Sequence, residues 1–278
     1  MLHVVPGSNS FALTTPSFGT ARPASANGTS VTPAVGSKGA WVQLGSDFTE
    51  DAYGLLININ TNSASAASRA TLVDIGIDPL GGTAYQPVIN NLLAGGASAY
   101  TLNGLYYYFP LFIPAGASVA ARAQSTVVTA LRVGTFAMQR ANAPHTFRRG
   151  CFTETYGVTT PPDGTAIVPG TTSEGAWTQV GTTAQRVWWW QAALQVNAAD
   201  VSWNAAAIHI DVAVGDATNK DIIIQDMLVT TSSAEAMING PLTAGVEFDT
   251  RAGTNVYMRA QHSGTLDAYT GAVYALGG

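Results

Sequence analysis

Charge is what this chain has least of. Its 278 residues carry 12 Lys+Arg and 17 Asp+Glu, so charged side chains make up 10% of the total, against roughly 25% in an ordinary soluble domain. The surface must therefore be built mainly from Ser, Thr, Asn, Gln, Gly and Ala. Disorder is excluded, because 46% of the residues are apolar and the net charge is only −5. Basic runs are missing as well. None is longer than Arg148-Arg149 and the pI is near 5.2, which argues against a partner recognised through its phosphates. With Cys151 as the single cysteine, no internal disulfide can form and the fold needs no oxidising compartment.

Other absences narrow the function. The start, Met1-Leu2-His3-Val4-Val5-Pro6-Gly7, has no basic n-region and no apolar stretch of signal length. Leu105 to Ala121 is the most apolar stretch, but Pro110, Pro114 and Ala115-Gly116 break it into two strands and a turn, short of the roughly 20 apolar residues of a span. The expectation is a soluble chain made in the cytoplasm without a signal peptide. The four histidines, His3, His145, His209 and His262, have no metal-pair spacing, and nucleophile-elbow and phosphate-loop patterns are missing. Asp74 and Asp78 share a strand face, but the second half of the chain does not repeat the pair. The expectation from these gaps is a protein that is not an enzyme and uses no cofactor and no metal.

What is present is a duplication. Ser37-Lys38-Gly39-Ala40-Trp41-Val42-Gln43-Leu44-Gly45 returns as Ser173-Glu174-Gly175-Ala176-Trp177-Thr178-Gln179-Val180-Gly181. Asp74-Ile75-Gly76-Ile77 answers to Asp211-Val212-Ala213-Val214, and Arg122-Ala123-Gln124 to Arg259-Ala260-Gln261. Matches in one order imply an arm (1–15), a first domain (16–140), a connector (141–151) and a second domain (152–278). Tyr53, Leu55, Ile57 and Ile59 alternate with Gly54, Leu56, Asn58 and Asn60, the period of a strand. Gly/Pro turns separate such runs and helical periodicity is lacking. The expected fold is all-β: two tandem jelly-roll-like β-sandwiches behind a short arm.

Strand parity sorts the second copy into faces. Aligned at an offset of 137, Trp190, Ala192, Leu194 and Val196 join the inward set, leaving Trp189 and Gln191 on the other face. An outward tryptophan among planar amides suits stacking against a sugar ring; the alternative is a face covered by a loop or a neighbouring subunit. His209 and Asp211 share an outer face, as a solvated pair or as part of a polar pocket. Tyr257 and Arg259 follow on the last matched strand, with Arg259 repeating Arg122. The candidate ligand-binding set is Trp189, Gln191, Trp203, His209, Asp211, Tyr257 and Arg259. The copies also differ in charge: residues 1–140 hold six basic and five acidic side chains, residues 151–278 four and twelve. That suits a neutral or basic ligand for the second copy and protein docking for the first.

Gly39-Ala40-Trp41-Val42-Gln43-Leu44-Gly45 and Ile113-Pro114-Ala115-Gly116-Ala117-Ser118-Val119-Ala120-Ala121-Arg122-Ala123-Gln124-Ser125 resemble repeats in surface spike and fibre proteins of tailed bacteriophages and phage-like particles, gene transfer agent head spikes included. The resemblance covers nearly all of the first copy and thins in the second, where Arg251 replaces the proline. It implies an oligomeric virion-surface protein that binds a host-surface polysaccharide at one end and other virion proteins at the other. It brings no catalytic residues. The uncharged arm, with Leu2, Val4, Val5, Phe11 and Leu13, is the expected particle anchor. A capsid decoration or cement role is the competing expectation.

Overall fold

The computed structural model describes residues 13–14, 16–19, 28–46, 48–61, 71–94, 105–126, 128, 130–140, 150–158, 165–196, 207–230, 245–262 and 269–278. Among these every regular element is a strand. The first copy contributes β1 (Leu13–Thr14), β2 (Ser17–Phe18), β3 (Thr29–Val31), β4 (Ala34–Val35), β5 (Val42–Gly45), β6 (Ala52–Thr61), β7 (Thr71–Asp78), β8 (Gln86–Leu93), β9 (Leu105–Phe109), β10 (Ser118–Ser125) and β11 (Leu131–Arg140). The second contributes β12 (Phe152–Tyr156), β13 (Ala166–Ile167), β14 (Thr178–Thr182), β15 (Val187–Val196), β16 (Ala207–Gly215), β17 (Lys220–Thr230), β18 (Val246–Thr250), β19 (Asn255–His262) and β20 (Tyr269–Gly277).

The strands form four sheets, two per copy, in the same order. One sheet of the first copy runs β11-β6-β9, with β1, β2 and β3 on the far side of β11; the other runs β10-β7-β8, with β4 and β5 on β10. The second copy repeats this as β12-β20-β15-β18 and β14-β19-β16-β17. The fold is thus two β-sandwiches in tandem. Alternation supplies the reason: Leu55, Ile57 and Ile59 of β6 are fully buried, while Leu56, Asn58 and Asn60 between them are half-buried. Inward residues of paired sheets make a core in each copy.

The pairing registers superpose the copies residue by residue. Gly19 and Gly157 both have positive φ, 72° and 85°, and the rings before them, Phe18 and Tyr156, lie against Gly45 and Gly181 where a Cβ would collide. Phe18 pairs with Thr135, which pairs with Ile57; Tyr156 pairs with Val273, which pairs with Ala192. Hence Ile57 matches Ala192, and β6 aligns on β15 at an offset of 135 rather than 137. Both offsets are odd, so the assignment of faces survives while the partners change: Gly54 corresponds to Trp189, and Phe136 to Tyr274.

Trp189 requires a correction. It is on the outer face of its sheet, but only 4% of it is exposed, and Gln191 beside it is also buried. The outer face of β12-β20-β15 is laid on the β8/β9 edge of the first copy. Phe109 of β9 stacks obliquely on Trp189 at 5.3 Å and meets Tyr274 edge-on at 6.1 Å. The Tyr274 hydroxyl accepts from the Leu93 amide (2.9 Å) and donates to the Asn91 carbonyl (3.1 Å). Thr153 and Thr155 of β12 donate their hydroxyls to the carbonyls of Val88 (2.6 Å) and Asn90 (2.7 Å) on β8. The face is covered by the first copy rather than by a loop or a neighbouring subunit, and an indole sealed between sandwiches cannot serve as a sugar platform.

A second correction concerns the arm. Leu13 and Thr14 are not part of a free tail, because they pair with Arg140 and Gln139 of β11. Leu2, Val4, Val5 and Phe11 lie outside the described residues. Because Trp189 is packed between the two copies, Trp189→Ala should lower the unfolding free energy by about 3–5 kcal/mol. Urea titration of the whole chain measures this, and a loss under about 1 kcal/mol would contradict the packing described.

Candidate functional site

Each copy carries a charged frame on the outer face of its second sheet. In the first copy Asp74 stands opposite Arg122 across β7 and β10. Its carboxylate accepts from Lys38 Nζ at 2.6 Å, Arg122 Nε at 2.9 Å and the Asn91 amide at 2.9 Å, while the Arg122 guanidinium lies 4.4 Å over Trp41. The second copy rebuilds this frame. Asp211 stands opposite Arg259 across β16 and β19, accepting from Nε at 2.8 Å and from a terminal nitrogen at 2.6 Å. It also accepts from the Asp226 amide at 2.7 Å, and Arg259 lies 4.3 Å over Trp177.

Local backbone shape makes the frame possible. Asn91 and Asp226 occupy matching places on β8 and β17, beside register shifts, with φ of 56° and 48°. Asn and Asp tolerate this left-handed region better than other side-chain-bearing residues. The bend turns each amide toward the buried carboxylate. Three donors then satisfy an anion that would otherwise be costly to desolvate.

Around this shared frame the copies diverge. Lys38 becomes Glu174, Asn91 becomes Asp226, Leu72 becomes His209 and Ala120 becomes Tyr257. Glu174 pairs with the Arg259 guanidinium that also holds Asp211, and His209 Nδ1 is 3.9 Å from Asp226 Oδ1. Glu174, Asp211 and Asp226 bring their ligand atoms within 4.8 Å of one another. They are the carboxylate group, among the described residues, with the spacing a divalent cation requires, although Arg259 already neutralises part of their charge. Burial is the first cause that raises the Glu174 carboxyl above its ordinary 4.5, joined by hydrogen bonding and repulsion from Asp211, with Arg259 opposing. In the first copy, burial lowers Lys38 against the pull of Asp74.

The rest of the face is aromatic and amide-rich. The Tyr257 ring, mostly buried, lies 4.6 Å beneath Lys220 Nζ, and its hydroxyl accepts from Asn255 Nδ2 at 3.3 Å. Gln179 Nε2 donates to Asn255 Oδ1 at 3.1 Å. Of the sequence-derived candidates, His209, Asp211, Tyr257 and Arg259 share this outer face. Trp189 and Gln191 are on the other sheet under the first copy, and Trp203 lies outside the described residues. Sequence reasoning missed Glu174, Trp177 and Asp226. The Lys38-to-Glu174 change inside the best-matched repeat was a signal for the first; Asp226 had none, because its place depends on the bend in β17. Asp74 and Asp78 do not act as a pair, since Asp78 caps the following turn by accepting from the Leu80 and Ala84 amides, both at 2.9 Å.

No family model matches the chain, and no curated protein does. Among solved structures it is similar to PNGase F, a glycosylasparaginase from Flavobacterium meningosepticum, at 11% identity and a TM-score of 0.38 over 95% of this chain and 96% of that one. A second structure of this peptide-N(4)-(N-acetyl-beta-D-glucosaminyl) asparagine amidase gives 10% and 0.35 over the same shares. Infectious bursal virus derived T=1 particles give 7% and 0.23, over 96% of this chain and 70% of that one. The expectation that the chain is not an enzyme is corrected at this point. Three of the structures it is similar to, each over 95% of its length, are of an amidase. At these scores the likeness carries no argument for any particular reaction.

The raised Glu174 carboxyl has a consequence for stability. Between 4.5 and its folded value the native state holds a proton that the unfolded state has released, so stability falls as pH rises through that window. Glu174→Gln removes this loss. The variant should be at least as stable as the parent at pH 7 and lose its advantage below 4.5, as thermal unfolding at a series of pH values will measure.

Proposed function

We propose that the protein is a surface spike or fibre component of a phage-like particle, and that its second copy binds a host cell-surface polysaccharide on the outer face of β14-β19-β16-β17. The observation that carries this reading is the divergence of matched positions around an unchanged frame. Asp, Arg and Trp are kept in both copies, as Asp74, Arg122 and Trp41 and as Asp211, Arg259 and Trp177. In the first copy the face is closed over: Trp41 lies directly on Gly76, where a Cβ would come within 2.7 Å of its ring, and packs toward Tyr85. In the second, Ala213 takes the glycine's place, and Tyr257, His209, Glu174 and Asp226 bring ring, imidazole and carboxylate groups to the face.

The chemistry suits a sugar. The half-buried Trp177 ring and the edge of the Tyr257 ring offer apolar surface to pyranose C–H groups, and Gln179, Asn255 and the carboxylates offer planar acceptors to hydroxyls. Three carboxylates against Arg259 and Lys220 favour a neutral or amino-sugar polymer over an acidic one. Single weak sites gain strength when many copies sit on one particle. The uncharged segment ahead of Leu13 serves as the anchor to the particle.

Binding of the full chain to an array of neutral and amino-sugar bacterial polysaccharides tests the ligand-binding face. Tyr257→Ala should weaken the interaction roughly tenfold, about 1.4 kcal/mol, and His209→Ala should weaken it less. Array binding that is absent, or unchanged in Tyr257→Ala, would move the weight to a decoration role. Removing residues 1–12 while keeping Leu13–Thr14 should abolish incorporation into particles and leave the melting temperature unchanged; normal incorporation sinks the anchor.

A further inference from the structure

The two copies join in a head-to-tail manner: the β8/β9 edge of the first meets the outer face of β12-β20-β15 in the second. Such a contact uses two different surfaces, and each copy owns both of them. One chain therefore leaves one surface of each kind unused, the β17/β18 edge of the second copy and the outer face of β1/β2-β11-β6 in the first. We infer that these two surfaces bind each other between molecules, so that a second copy of this chain continues the step that joins the two sandwiches within one.

Both surfaces carry apolar groups that the matched contact buries. On the β17/β18 edge Leu228 is 52% exposed, Val246 37% and Phe248 36%, where their counterparts Leu93, Phe109 and Leu111 are buried. Between β17, β15 and β18 lies a cavity of about 260 Å³, bordered by Trp190, Ile223, Ile224, Met227, Gly245 and Val246. Val246 is the register counterpart of Phe109, so the position that holds a ring in the first copy holds a smaller side chain here. The opposite surface presents Leu56, Phe136 and Met138 half-buried, and Tyr106 at 54% exposure. Isolated exposed apolar side chains are ordinary, whereas contiguous groups of them on matched surfaces mark contacts.

Register identifies the groups that would meet. Phe136 holds the place of Tyr274, since Ser17 pairs with Phe136 as Thr155 pairs with Tyr274. Tyr274 enters the gap between β8 and β9, edge-on to Tyr107 at 5.7 Å. Phe136 of one molecule enters the corresponding gap between β17 and β18 of the next. The hydroxyl pattern recurs too: Thr153-Glu154-Thr155-Tyr156-Gly157 answers to Thr15-Pro16-Ser17-Phe18-Gly19. Thr155 donates to the Asn90 carbonyl within the chain, and Ser17, exposed on β2, holds the place of Thr155 as Gln225 holds the place of Asn90. A contact between unlike surfaces closes into a ring or extends into a row, according to the rotation at each step.

Sedimentation of the purified full chain over a range of concentrations tests this, with Phe136→Asp and Leu228→Asp as variants and unfolding curves to confirm that both stay folded. The parent should self-associate and each variant should be monomeric. Mixing the two variants should restore a dimer and nothing larger, because each still owns one intact surface and the pair has no second contact to make. Phe136→Tyr should tighten association several-fold, by returning the hydroxyl that Tyr274 uses within the chain. A parent that stays monomeric, variants that still associate, or a mixture that forms no dimer would each overturn the inference.

Discussion

A β-sandwich cannot satisfy its own edges. At each end of each sheet a strand has one row of amides and carbonyls without a neighbour, and between the two sheets the core opens to water. This constraint organises the whole molecule. The first copy solves it at β8 and β9 by laying them against a sheet face of the second. Threonine hydroxyls of β12 take the carbonyls of Val88 and Asn90, and Tyr274 with Trp189 closes the core beneath. An aromatic-rich second copy is therefore partly a plug. Two of the three consecutive tryptophans, Trp188 and Trp189, belong to the core cluster shared with the first copy, and Trp190 to the second copy's own.

The charged frame and the sandwich edge meet at the bent strand, where the Asn91 amide donates to Asp74 and its carbonyl accepts from Tyr274 of the second copy. Asp74 and Asp211 are buried anions held by an arginine and by an amide from a bent neighbouring strand. Removing any partner would strand a desolvated charge, which explains why the Asp–Arg–Trp frame is the same in both copies. Positions around the frame carry no such penalty. Lys38, a donor to Asp74, can become Glu174 because Arg259 gives Asp211 two hydrogen bonds where Arg122 gives Asp74 one, and Asn91 can become Asp226 because the carboxylate there is exposed to solvent. A structural device in the first copy thereby becomes an acidic, aromatic surface in the second at little cost to folding.

Much of this was legible before any coordinates. Repeated motifs at a nearly constant offset are a one-dimensional signal, and alternation with period two is local, so the duplication, the all-β class and the inward residues of β6 and β15 could be read from the chain. So could the shared outer face of His209, Asp211, Tyr257 and Arg259, because parity passes from strand to strand. The error over Trp189 had a different origin. Parity says that a side chain leaves its own core but not what lies on the far side, and here another sandwich does.

What the sequence by itself determined, then, is each sandwich: which residues form strands, which face each side chain takes, and that there are two copies. Only the tertiary structure decided which outer faces are surface. Covering of Trp189, the approach of Glu174 to Arg259 and of Asp226 to Asp211, and the pinning of Leu13–Thr14 to β11 all depend on contacts between different segments of the chain. Such contacts follow from shape and from the closing of edges, quantities that no local pattern of residues encodes.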